Sequence, residues 1–451
     1  MKTMMKTSPR HMAVQILNRV ERNGAYAEPL LDDFLSKNEL ANIHDRKLLT
    51  QIVYGTLRMR GHLDWIIQQI YRGNFALMNT EVKNILRTAM FQIWFTDRIP
   101  DFAIANEAVE MTKIIHPTSS GLVNAIIRNA IRKKAKIRIP EMNEGPARHI
   151  SISYSHPLWL VERWIDMFGI EETLSLCRAN NEVPSSTLRI NRLKATREQA
   201  EKALKLIGID TAITPFSPDG LVASNMGIPI RETELYKAGW IQLQDEASQE
   251  IAYLVHPQSG ENILDLCAGT GGKAIHMAEM MRNQGRITAI DRNANKTASL
   301  KENANRQGID IVNIRTGDAT KDLGKDFHES FDRILLDAPC SGLGTLRRNP
   351  EIKWRISKET LTDMVRLQRA ILKKAALYLK KGGWLIYSTC SVMTEENEHI
   401  IDDFISQNRS FILTHPPETI DPALINHEGY FMTCPHRHGM DGFFGAVLLK
   451  K

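Results

Sequence analysis

From Asn262 to Leu449, short apolar segments alternate with longer segments of helical periodicity, and this alternation restricts the fold more than any other feature of the chain. The predicted strands cover residues 263–266, 286–290, 312–316, 333–336, 383–388 and 443–449, and the predicted helices cover 273–281, 295–307, 358–379 and 395–406. Regular alternation with glycine-rich turns at the strand ends predicts a parallel, doubly wound sheet. Ligands of such sheets bind at the carboxyl ends of the strands.

The first part of the chain shows helical periodicity instead. Between His11 and Val20 the apolar residues stand at positions 13, 14, 16, 17 and 20, which is the spacing of one buried helix face. The same spacing recurs in residues 45–60, where Asp45 is an N-cap type of residue, and in residues 82–95, 103–115 and 121–131. The pattern predicts an all-α bundle over residues 1–138.

A shorter α/β segment separates these two regions, and 451 residues leave room for several domains. The stretch from Pro140 to Pro146 is typical of a boundary. Predicted strands follow at 186–192, 210–215 and 220–224, and Thr196 is predicted to cap a helix over 197–206. We therefore predict a linker and small α/β module over residues 139–238 and a last domain over 239–451. The module has the size of a small RNA-binding layer, and a role as a spacer fits equally well.

Basic charge is concentrated at the start of the chain. The net charge is +6, but residues 1–140 carry 21 lysines and arginines against 12 acids, whereas the remainder carries 37 against 40. Five of the seven residues from Arg132 to Arg138 are basic. Such a surface is typical of proteins that bind nucleic-acid phosphates, although a solvated face would show the same excess.

Composition argues against several other classes. An apolar content of 43% and a charged content of 24% are those of a globular protein, and no apolar run approaches the ~20 residues of a membrane helix. Met1 to Arg10 lacks the apolar core of a secretory signal. The cysteines are odd in number and show no CxxC spacing, so neither a disulfide framework nor structural zinc is expected, and a reducing cytoplasm is favoured. They are Cys177, Cys267, Cys340, Cys390 and Cys434.

The first strand-to-helix turn of the alternating region has the composition of a ligand loop. It is Leu264-Asp-Leu-Cys-Ala-Gly-Thr-Gly-Gly-Lys273, and its glycines let the backbone approach a ligand beside the free N–H groups of the next helix. The following strand leads to Asp291, 22 residues after Gly269, where an acid can accept hydrogen bonds from ribose hydroxyls. The third strand leads to Asp318, which could hold an adenine amino group. This spacing allows either a nicotinamide cofactor or S-adenosylmethionine.

Two further strands end in cysteines, and the presence of these two thiols favours one of the two cofactors. One leads through Asp337-Ala-Pro to Cys340, and the other ends in Ser-Thr-Cys390. Hydride transfer needs no thiol pair, whereas methylation of carbon 5 of a pyrimidine needs a thiolate that adds to carbon 6, because carbon 5 is otherwise a poor nucleophile. An acid near N3 and a base for the carbon-5 proton complete the inventory. For Cys177 and Cys267 inert packing is expected.

These motifs together resemble the NOL1/NOP2/Sun family of RNA cytosine-5 methyltransferases. The matching segments are Asp337-Ala-Pro-Cys-Ser-Gly-Leu-Gly344, Arg348-Asn-Pro-Glu-Ile-Lys-Trp354, Tyr387-Ser-Thr-Cys-Ser391, Glu396-Asn-Glu398, Gln244-Asp-Glu-Ala-Ser-Gln249, Ser155-His-Pro-Leu-Trp-Leu160 and Asp441-Gly-Phe-Phe444. Asp45-Arg-Lys-Leu-Leu49 and Tyr54-Gly-Thr-Leu-Arg58 are similar to the NusB-like RNA-binding domain of one branch of the family. The resemblance covers nearly the whole chain, and the paired Pro-Cys and Thr-Cys motifs are highly specific.

The resemblance implies a multidomain fold with an all-α NusB-like bundle, a small α/β RNA-binding module and a C-terminal α/β Rossmann-like class I methyltransferase domain. It implies that Cys390 forms the covalent bond to carbon 6, that Cys340 assists release of the methylated product, and that Asp337 contacts the N3 and amino edge of cytosine. The implied S-adenosylmethionine site comprises Cys267, Ala268, Gly269, Thr270, Gly271, Gly272, Lys273, Asp291, Asp318 and Asp337.

The implied substrate is 16S rRNA or a small-subunit precursor, with cytosine 967 as the conventional target of this branch. The implied enzyme is a cytoplasmic monomer without a metal. Two alternatives stay open. A tRNA cytosine-5 methyltransferase would share every catalytic residue, and a non-catalytic RNA-binding or antitermination factor would keep the fold. Intact Asp337, Cys340 and Cys390 argue against the non-catalytic alternative.

One loop departs from the family pattern. The usual Cys-Ala-Ala-Pro-Gly-Gly-Lys is replaced by Cys267-Ala-Gly-Thr-Gly-Gly-Lys273. Losing the proline and gaining a glycine loosens the loop, which is expected to change its affinity for the cofactor. The resulting sequence is closer to the loop that is common in other methyltransferases.

Overall fold

The chain divides into two compact units in the computed structural model, which describes residues 8–37, 42–97 and 99–451. Unit 1 comprises the chain up to Glu182 together with Leu346–Arg355, and unit 2 comprises Val183–Thr345 and Ile356–Lys451. The chain therefore leaves unit 2 after Thr345, belongs to unit 1 for one short segment and returns at Ile356. Most of the predicted non-signal segment Met1–Arg10 lies outside the described residues.

Unit 1 is built from helices, and the all-α prediction for its first part is confirmed. Its α-helices span Pro9–Asn23, Ala27–Lys37, Ile43–Arg58, Arg60–Ile70, Thr80–Phe95, Asp101–Ile115, Ser120–Lys133, Pro146–Ser153, Leu158–Phe168 and Ile170–Ala179. The sequence predicts a helix start at Asp45, but the helix begins at Ile43 because the side chain of Asn42 accepts a hydrogen bond from the N–H of His44. The apolar faces of these helices pack into two buried clusters.

The segment Leu346–Arg355 is held in unit 1 by buried polar contacts. The ammonium group of Lys353 is fully buried and donates to Asn181 Oδ1 at 2.7 Å and to the carbonyl oxygen of Ser155 at 3.3 Å. The indole N–H of Trp354 donates to a main-chain carbonyl near the end of the third helix at 3.2 Å. Burial lowers the pKa of Lys353 to about 7. The buried surroundings of Lys353 therefore disfavour its charged form.

Unit 2 begins with a four-stranded antiparallel sheet. Its strands are β1 Ser186–Ile190, β2 Asp210–Ile213, β3 Gly220–Ser224 and β4 Ile241–Leu243, in the order β2-β3-β1-β4, with helices Arg197–Leu206 and Glu234–Lys237 between them. The predicted cap is confirmed, since the Thr196 hydroxyl accepts the N–H of Gln199 and the Gln199 side chain accepts the N–H of Thr196. Strand β4 lies in the stretch that the sequence assigns to the last domain, yet it pairs with β1. Three residues are too few to show a periodicity.

The second sheet of unit 2 carries the glycine loop and both predicted catalytic thiols. Its strands are β5 Asn262–Asp265, β6 Arg286–Asp291, β7 Val312–Thr316, β8 Phe331–Asp337, β9 Leu379–Thr389, β10 Phe411–Thr414, β11 Phe431–Met432 and β12 Phe444–Lys450. Its helices are Glu246–Val255, Gly272–Met280, Ala294–Gln307, Lys358–Tyr378, Glu398–Gln407 and Pro435–His438. The order is β10-β12-β9-β8-β5-β6-β7, with β11 beside β12, and the predicted Rossmann-like architecture is confirmed.

The prediction of an entirely parallel sheet is wrong at one edge. The strands from β9 to β7 in this order pair in parallel, but β12 runs antiparallel to β9, and β10 and β11 pair antiparallel with β12. The sequence shows that 443–449 is apolar, but an apolar run does not reveal its direction. Strands β10 and β11 are too short to be recognised by alternation.

The parallel part of the sheet brings the predicted site residues to one edge. Asp337 is paired with Ser388 across β8 and β9, and Asp265 is paired with Leu335 across β5 and β8. The segments that follow β5, β8 and β9 therefore leave the sheet side by side. This edge is where a doubly wound sheet binds its ligands.

Candidate active site

The thiols of Cys340 and Cys390 meet beyond the ends of two neighbouring strands. Their Sγ atoms lie 3.2 Å apart, although the residues are separated by 50 positions. Two backbone hydrogen bonds join the segments: Ala338 N–H donates to the carbonyl of Ser388 at 2.7 Å, and Gly344 N–H donates to the carbonyl of Cys390 at 2.9 Å. The pairing of β8 with β9 is thus continued through both loops.

The two thiols do not have the same electrostatic surroundings. The hydrogen bond with Cys390, together with burial, holds the pKa of Cys340 well above its usual value. Cys340 is therefore a neutral thiol near pH 7. The Cys340 thiol thus has a proton to share in the 3.2 Å contact with Cys390.

The loop after β5 and the end of β8 meet through an ion pair. Lys273 Nζ lies 2.6 Å from Asp337 Oδ2, and Asp337 Oδ1 accepts a hydrogen bond from the hydroxyl of Ser388 at 3.2 Å. Burial works to lower the pKa of Lys273, but the Asp337 carboxylate outweighs it, and the charge of Cys390 adds to the rise. The sequence assigns Lys273 to the cofactor loop alone, whereas its ammonium group lies on the predicted base-contacting acid.

The glycine loop has the backbone conformation of a close-approach site. Gly269 has φ +58° and Gly271 has φ +90°, both in the left-handed region that favours glycine. A Cβ on Gly271 would lie 2.6 Å from Leu300 Cγ, so this residue packs tightly against the helix Ala294–Gln307. Asp291 Oδ2 accepts the N–H of Gly269 at 3.0 Å and so organises the loop itself. The glycine cradle and adjacent acid fit S-adenosylmethionine.

The other predicted cofactor acid lies further along the sheet. Asp318 follows β7, is exposed, and accepts hydrogen bonds from the N–H and the hydroxyl of Thr320 at 3.0 and 2.7 Å. The sequence places Asp265 in the first strand-to-helix turn but does not assign it to the predicted site; it ends β5 and is 1% exposed. Burial and the nearby Asp337 raise the pKa of Asp265 to about 7. Its position immediately before the glycine loop was the signal that could have identified it.

Two cysteines outside the pair have raised pKa values. Burial raises the pKa of Cys177 to about 12, and burial followed by the charge of Asp265 raises the pKa of Cys267. Both side chains are therefore protonated thiols at neutral pH, and thiols are poor nucleophiles in that state. These surroundings are those expected of packing cysteines.

Metal-binding clusters and membrane-spanning helices are both absent from the part of the chain that the structure describes. Within residues 8–37, 42–97 and 99–451, no group of three histidine, cysteine or acidic side chains could hold a metal ion. Over the same ranges, no helix combines the length and apolar character that a membrane crossing requires.

Three segments of the chain match known families. Residues 252–449 match the family 16S rRNA methyltransferase RsmB/F, residues 7–132 match the NusB family, and residues 156–228 match the ferredoxin-like domain of RsmF/B-like methyltransferases.

Curated relatives match over the full length. Probable ribosomal RNA small subunit methyltransferase B of Bacillus subtilis is 35% identical and covers 99% of this chain and 100% of its own. The Synechocystis protein of the same description is 34% identical over 98% of this chain and 99% of its own. Ribosomal RNA small subunit methyltransferase B of Yersinia pseudotuberculosis is 32% identical over 98% of both chains.

Solved structures share the architecture. The crystal structure of PH0851 has a TM-score of 0.86 and 28% identity, covering 98% of this chain and 99% of that one. NSun6 from Pyrococcus horikoshii, solved with SFG, has a TM-score of 0.59 and 24% identity, covering 65% of this chain and 98% of its own. The second likeness concerns the fold alone.

The fold and these matches define an S-adenosylmethionine-dependent RNA methyltransferase. The chain belongs to the RsmB/F (Sun) family, whose members methylate the ribosomal RNA of the small subunit. The family resemblance, the fold class and the cofactor predicted from the sequence are confirmed.

Proposed function

We propose that this methyltransferase forms 5-methylcytosine in 16S rRNA by covalent catalysis with Cys390 as the nucleophile. One observation carries the proposal: the thiols of Cys340 and Cys390 lie 3.2 Å apart at the sheet edge that also holds Lys273 and Asp337. A methyl transfer to nitrogen or oxygen needs no such pair, whereas transfer to carbon 5 requires a nucleophile and a means of releasing it.

The first step is addition of the Cys390 thiolate to carbon 6 of the target cytosine. The Cys340 thiol, whose Sγ lies 3.2 Å from the Cys390 Sγ, is placed to donate a hydrogen bond to this thiolate. Addition makes carbon 5 nucleophilic. The loop Cys267–Lys273 with Asp291 would hold S-adenosylmethionine, which would supply the methyl group to carbon 5 and leave as S-adenosylhomocysteine.

The Lys273–Asp337 pair serves the polar edge of the base. Asp337 accepts a hydrogen bond from the amino group on carbon 4 and keeps Lys273 protonated through their 2.6 Å contact. Lys273 donates to N3 as negative charge builds there. The sequence prediction places the contact with N3 and the contact with the amino group both on Asp337. We assign the N3 contact to Lys273 instead, because a carboxylate is only an acceptor and N3 needs a donor.

The last step removes the carbon-5 proton and releases Cys390. The main cause of the raised Cys340 pKa is its hydrogen bond with Cys390. Once the Cys390 sulfur is bonded to carbon 6, it is a thioether and this hydrogen bond is weakened. Cys340 gives its proton to solvent and, as the thiolate, takes the carbon-5 proton while the bond between Cys390 Sγ and carbon 6 breaks.

The RNA must present an unstacked cytosine, since neither thiol could reach carbon 6 inside a base stack. The basic residues 132–138 of unit 1 are suited to the phosphates around it. We propose 16S rRNA or its precursor as the substrate and cytosine 967 as the target, acting as a monomer in the cytoplasm. A tRNA target would leave the chemistry unchanged.

The catalytic proposal is tested by trapping the covalent complex. Purified full-length variants are incubated with a 16S rRNA transcript and S-adenosylmethionine and are then separated on a denaturing gel. Cys340→Ala should accumulate a protein–RNA adduct, and Cys390→Ala should form none. Cys177→Ala is the control, because that buried cysteine lies in unit 1. An adduct with Cys390→Ala would overturn the assignment of the nucleophile.

The substrate proposal has its own test. Methyl transfer to total rRNA and to total tRNA is compared, and 5-methylcytosine is mapped in 16S rRNA from cells without the protein. Loss of the modification at cytosine 967 is the expected result. Transfer to tRNA alone would replace the proposed substrate, and absence of transfer to any RNA would favour a non-catalytic RNA-binding factor.

A further inference from the structure

Two consecutive buried residues bind the loops that carry the thiol pair. Glu396 is 0% exposed and Asn397 is 2% exposed, and they stand at the end of the short helical turn Thr394–Glu396. The roles above leave them unused, although burying a carboxylate is costly unless its hydrogen bonds are satisfied. Their contacts lead to two different cysteine loops.

Glu396 binds the loop of Cys340. Its Oε1 accepts the backbone N–H of Ser341 at 2.8 Å, and its Oε2 accepts the hydroxyl of Ser341 at 2.6 Å. Gln368 Nε2 donates to Glu396 Oε1 at 3.0 Å and to the carbonyl of Pro339 at 2.9 Å. The carboxylate and its amide neighbour therefore hold the residues immediately before and after Cys340.

Asn397 binds the loop of Cys390 in the corresponding way. Its Oδ1 accepts the hydroxyl of Thr389 at 2.6 Å, and its Nδ2 donates to the carbonyl of Ser391 at 3.0 Å. The residues on both sides of Cys390 are thus tied to one amide. One contact needs an acceptor and the other needs a donor, so a carboxylate cannot replace the amide.

A contact between two serine hydroxyls joins the hydrogen bonds of Glu396 to those of Asn397. Ser341 Oγ and Ser391 Oγ lie 3.1 Å apart, and the Ser341 hydroxyl donates to Glu396. Ser391 Oγ in turn accepts the N–H of Met393 at 3.1 Å. The separation of the thiols is therefore set by a buried polar network, and each half of this network has its own anchor.

We propose that Glu396 and Asn397 are positioning residues with separate tasks: Glu396 places Cys340 for product release, and Asn397 places Cys390 for attack on carbon 6. The inference rests on the proposed function, because the tasks are those of the two thiols. It predicts that the neighbouring residues affect different steps of one reaction, which a general role in folding would not produce.

The experiment separates the two steps with the nearly isosteric variants Glu396→Gln and Asn397→Asp in the full chain. Adduct formation and product release are followed in single-turnover reactions with 16S rRNA and S-adenosylmethionine. Glu396→Gln should form the adduct at the wild-type rate and release product at least about 10-fold more slowly, so that the adduct accumulates as with Cys340→Ala. Asn397→Asp should slow adduct formation by a similar factor without accumulation.

Further variants cover the case in which a buried substitution prevents folding. Ser341→Ala removes the hydroxyl that donates to Glu396 and should slow release only. Thr389→Val removes the hydroxyl that donates to Asn397 and should slow adduct formation only. Glu395→Gln, on the same turn, is the control, and melting temperatures and KM for RNA are measured for every variant.

The outcomes distinguish this inference from the proposed function. If Cys340→Ala traps an adduct but all four variants slow the same step, or lower only the melting temperature, the separate positioning roles are wrong and the catalytic proposal stands. If Cys340→Ala traps nothing, the catalytic proposal itself fails. An unchanged rate of both steps in Glu396→Gln and Ser341→Ala would also remove the role of Glu396.

Discussion

The ammonium group of Lys273 lies 2.6 Å from Asp337 Oδ2 and joins two motifs that are 64 residues apart in the chain. Lys273 is the second residue of the helix Gly272–Met280, and Asp337 is the last residue of β8. Strands β5 and β8 are neighbours in the sheet, so the loop after one lies beside the end of the other. The glycine loop and the acid that we propose to contact the base are thereby joined by one ion pair.

Breaking this pair should impair the chemistry more than RNA binding. Lys273→Met and Asp337→Asn should each lower kcat by about 10²- to 10⁴-fold, the usual effect of removing a proton-handling group. KM for RNA should change little, because phosphate contacts supply most of the affinity. Steady-state methyl transfer measures both constants. Lys301→Met, an exposed lysine, is the control, and an unchanged kcat in Lys273→Met would contradict the role.

The two left-handed glycines of the cofactor loop should differ in their tolerance of alanine. A Cβ at Gly271 would lie 2.6 Å from Leu300 Cγ, whereas a Cβ at Gly269 would meet nothing within 4 Å. Gly269→Ala should therefore cost only the left-handed backbone penalty of about 1–2 kcal/mol. Gly271→Ala should add a steric displacement of the loop, with a larger loss of cofactor affinity in calorimetric titration. Equal losses would show that the packing against Leu300 has no effect.

The basic residues at the end of the helical bundle should control the salt dependence of RNA binding. Lys133 and Lys136 are exposed, and the double variant Lys133→Gln/Lys136→Gln should flatten the plot of log K against log salt by about 0.7–0.9 for each phosphate that the lysines neutralise. Filter binding over a salt series measures the slope. The matched variant Lys325→Gln/Lys358→Gln removes two exposed lysines of unit 2. If both pairs flatten the slope equally, the predicted footprint on unit 1 is wrong.

Lys353 should make the free energy of unfolding depend on pH in the alkaline range. Burial lowers its folded-state pKa to about 7, whereas an unfolded lysine has a pKa of about 10.4. Between these values the unfolded chain binds more protons, so this group raises the free energy of unfolding as pH increases, by up to about 1.4 kcal/mol per pH unit. Below about pH 7 its contribution is constant.

Urea unfolding at pH 7, 8 and 9 tests this expectation. The free energy of unfolding of Lys353→Met should rise less steeply with pH than that of the wild type, because methionine fills a similar volume and does not titrate. Lys374→Met, a lysine of unit 2, serves as the reference. Parallel pH profiles for wild type and Lys353→Met would show that Lys353 is charged in the folded protein.

Much of the candidate site was accessible from local sequence. The motif around Cys340, the strand that ends at Cys390 and the glycine loop each lie at the carboxyl end of an apolar segment, so a parallel sheet must bring them to one edge. The predicted positions of Asp337 and Asp291 follow from the same rule. The roles of these residues remain proposals, but their proximity is a property of the fold.

Other features needed contacts that no periodicity encodes. The sequence treats residues 348–354 as the end of the Pro-Cys motif, whereas Lys353 is buried in unit 1. In the sequence, Glu396 and Asn397 are recognised only as part of a segment that matches the family. The structure shows that their side chains bind different cysteine loops. These contacts join residues that lie far apart along the chain or depend on the exact course of a loop.

By itself the sequence determined the fold class of each main region and the family, and it predicted the residues of the site, because hydrophobic spacing and strand-end residues are local properties. The tertiary structure alone decided which groups act on one another. It paired Lys273 with Asp337, raised the pKa of Cys340 through its contact with Cys390 and through burial, and set the last strand antiparallel to its neighbour. Distances and burial set electrostatic coupling, and both arise only when distant segments pack together.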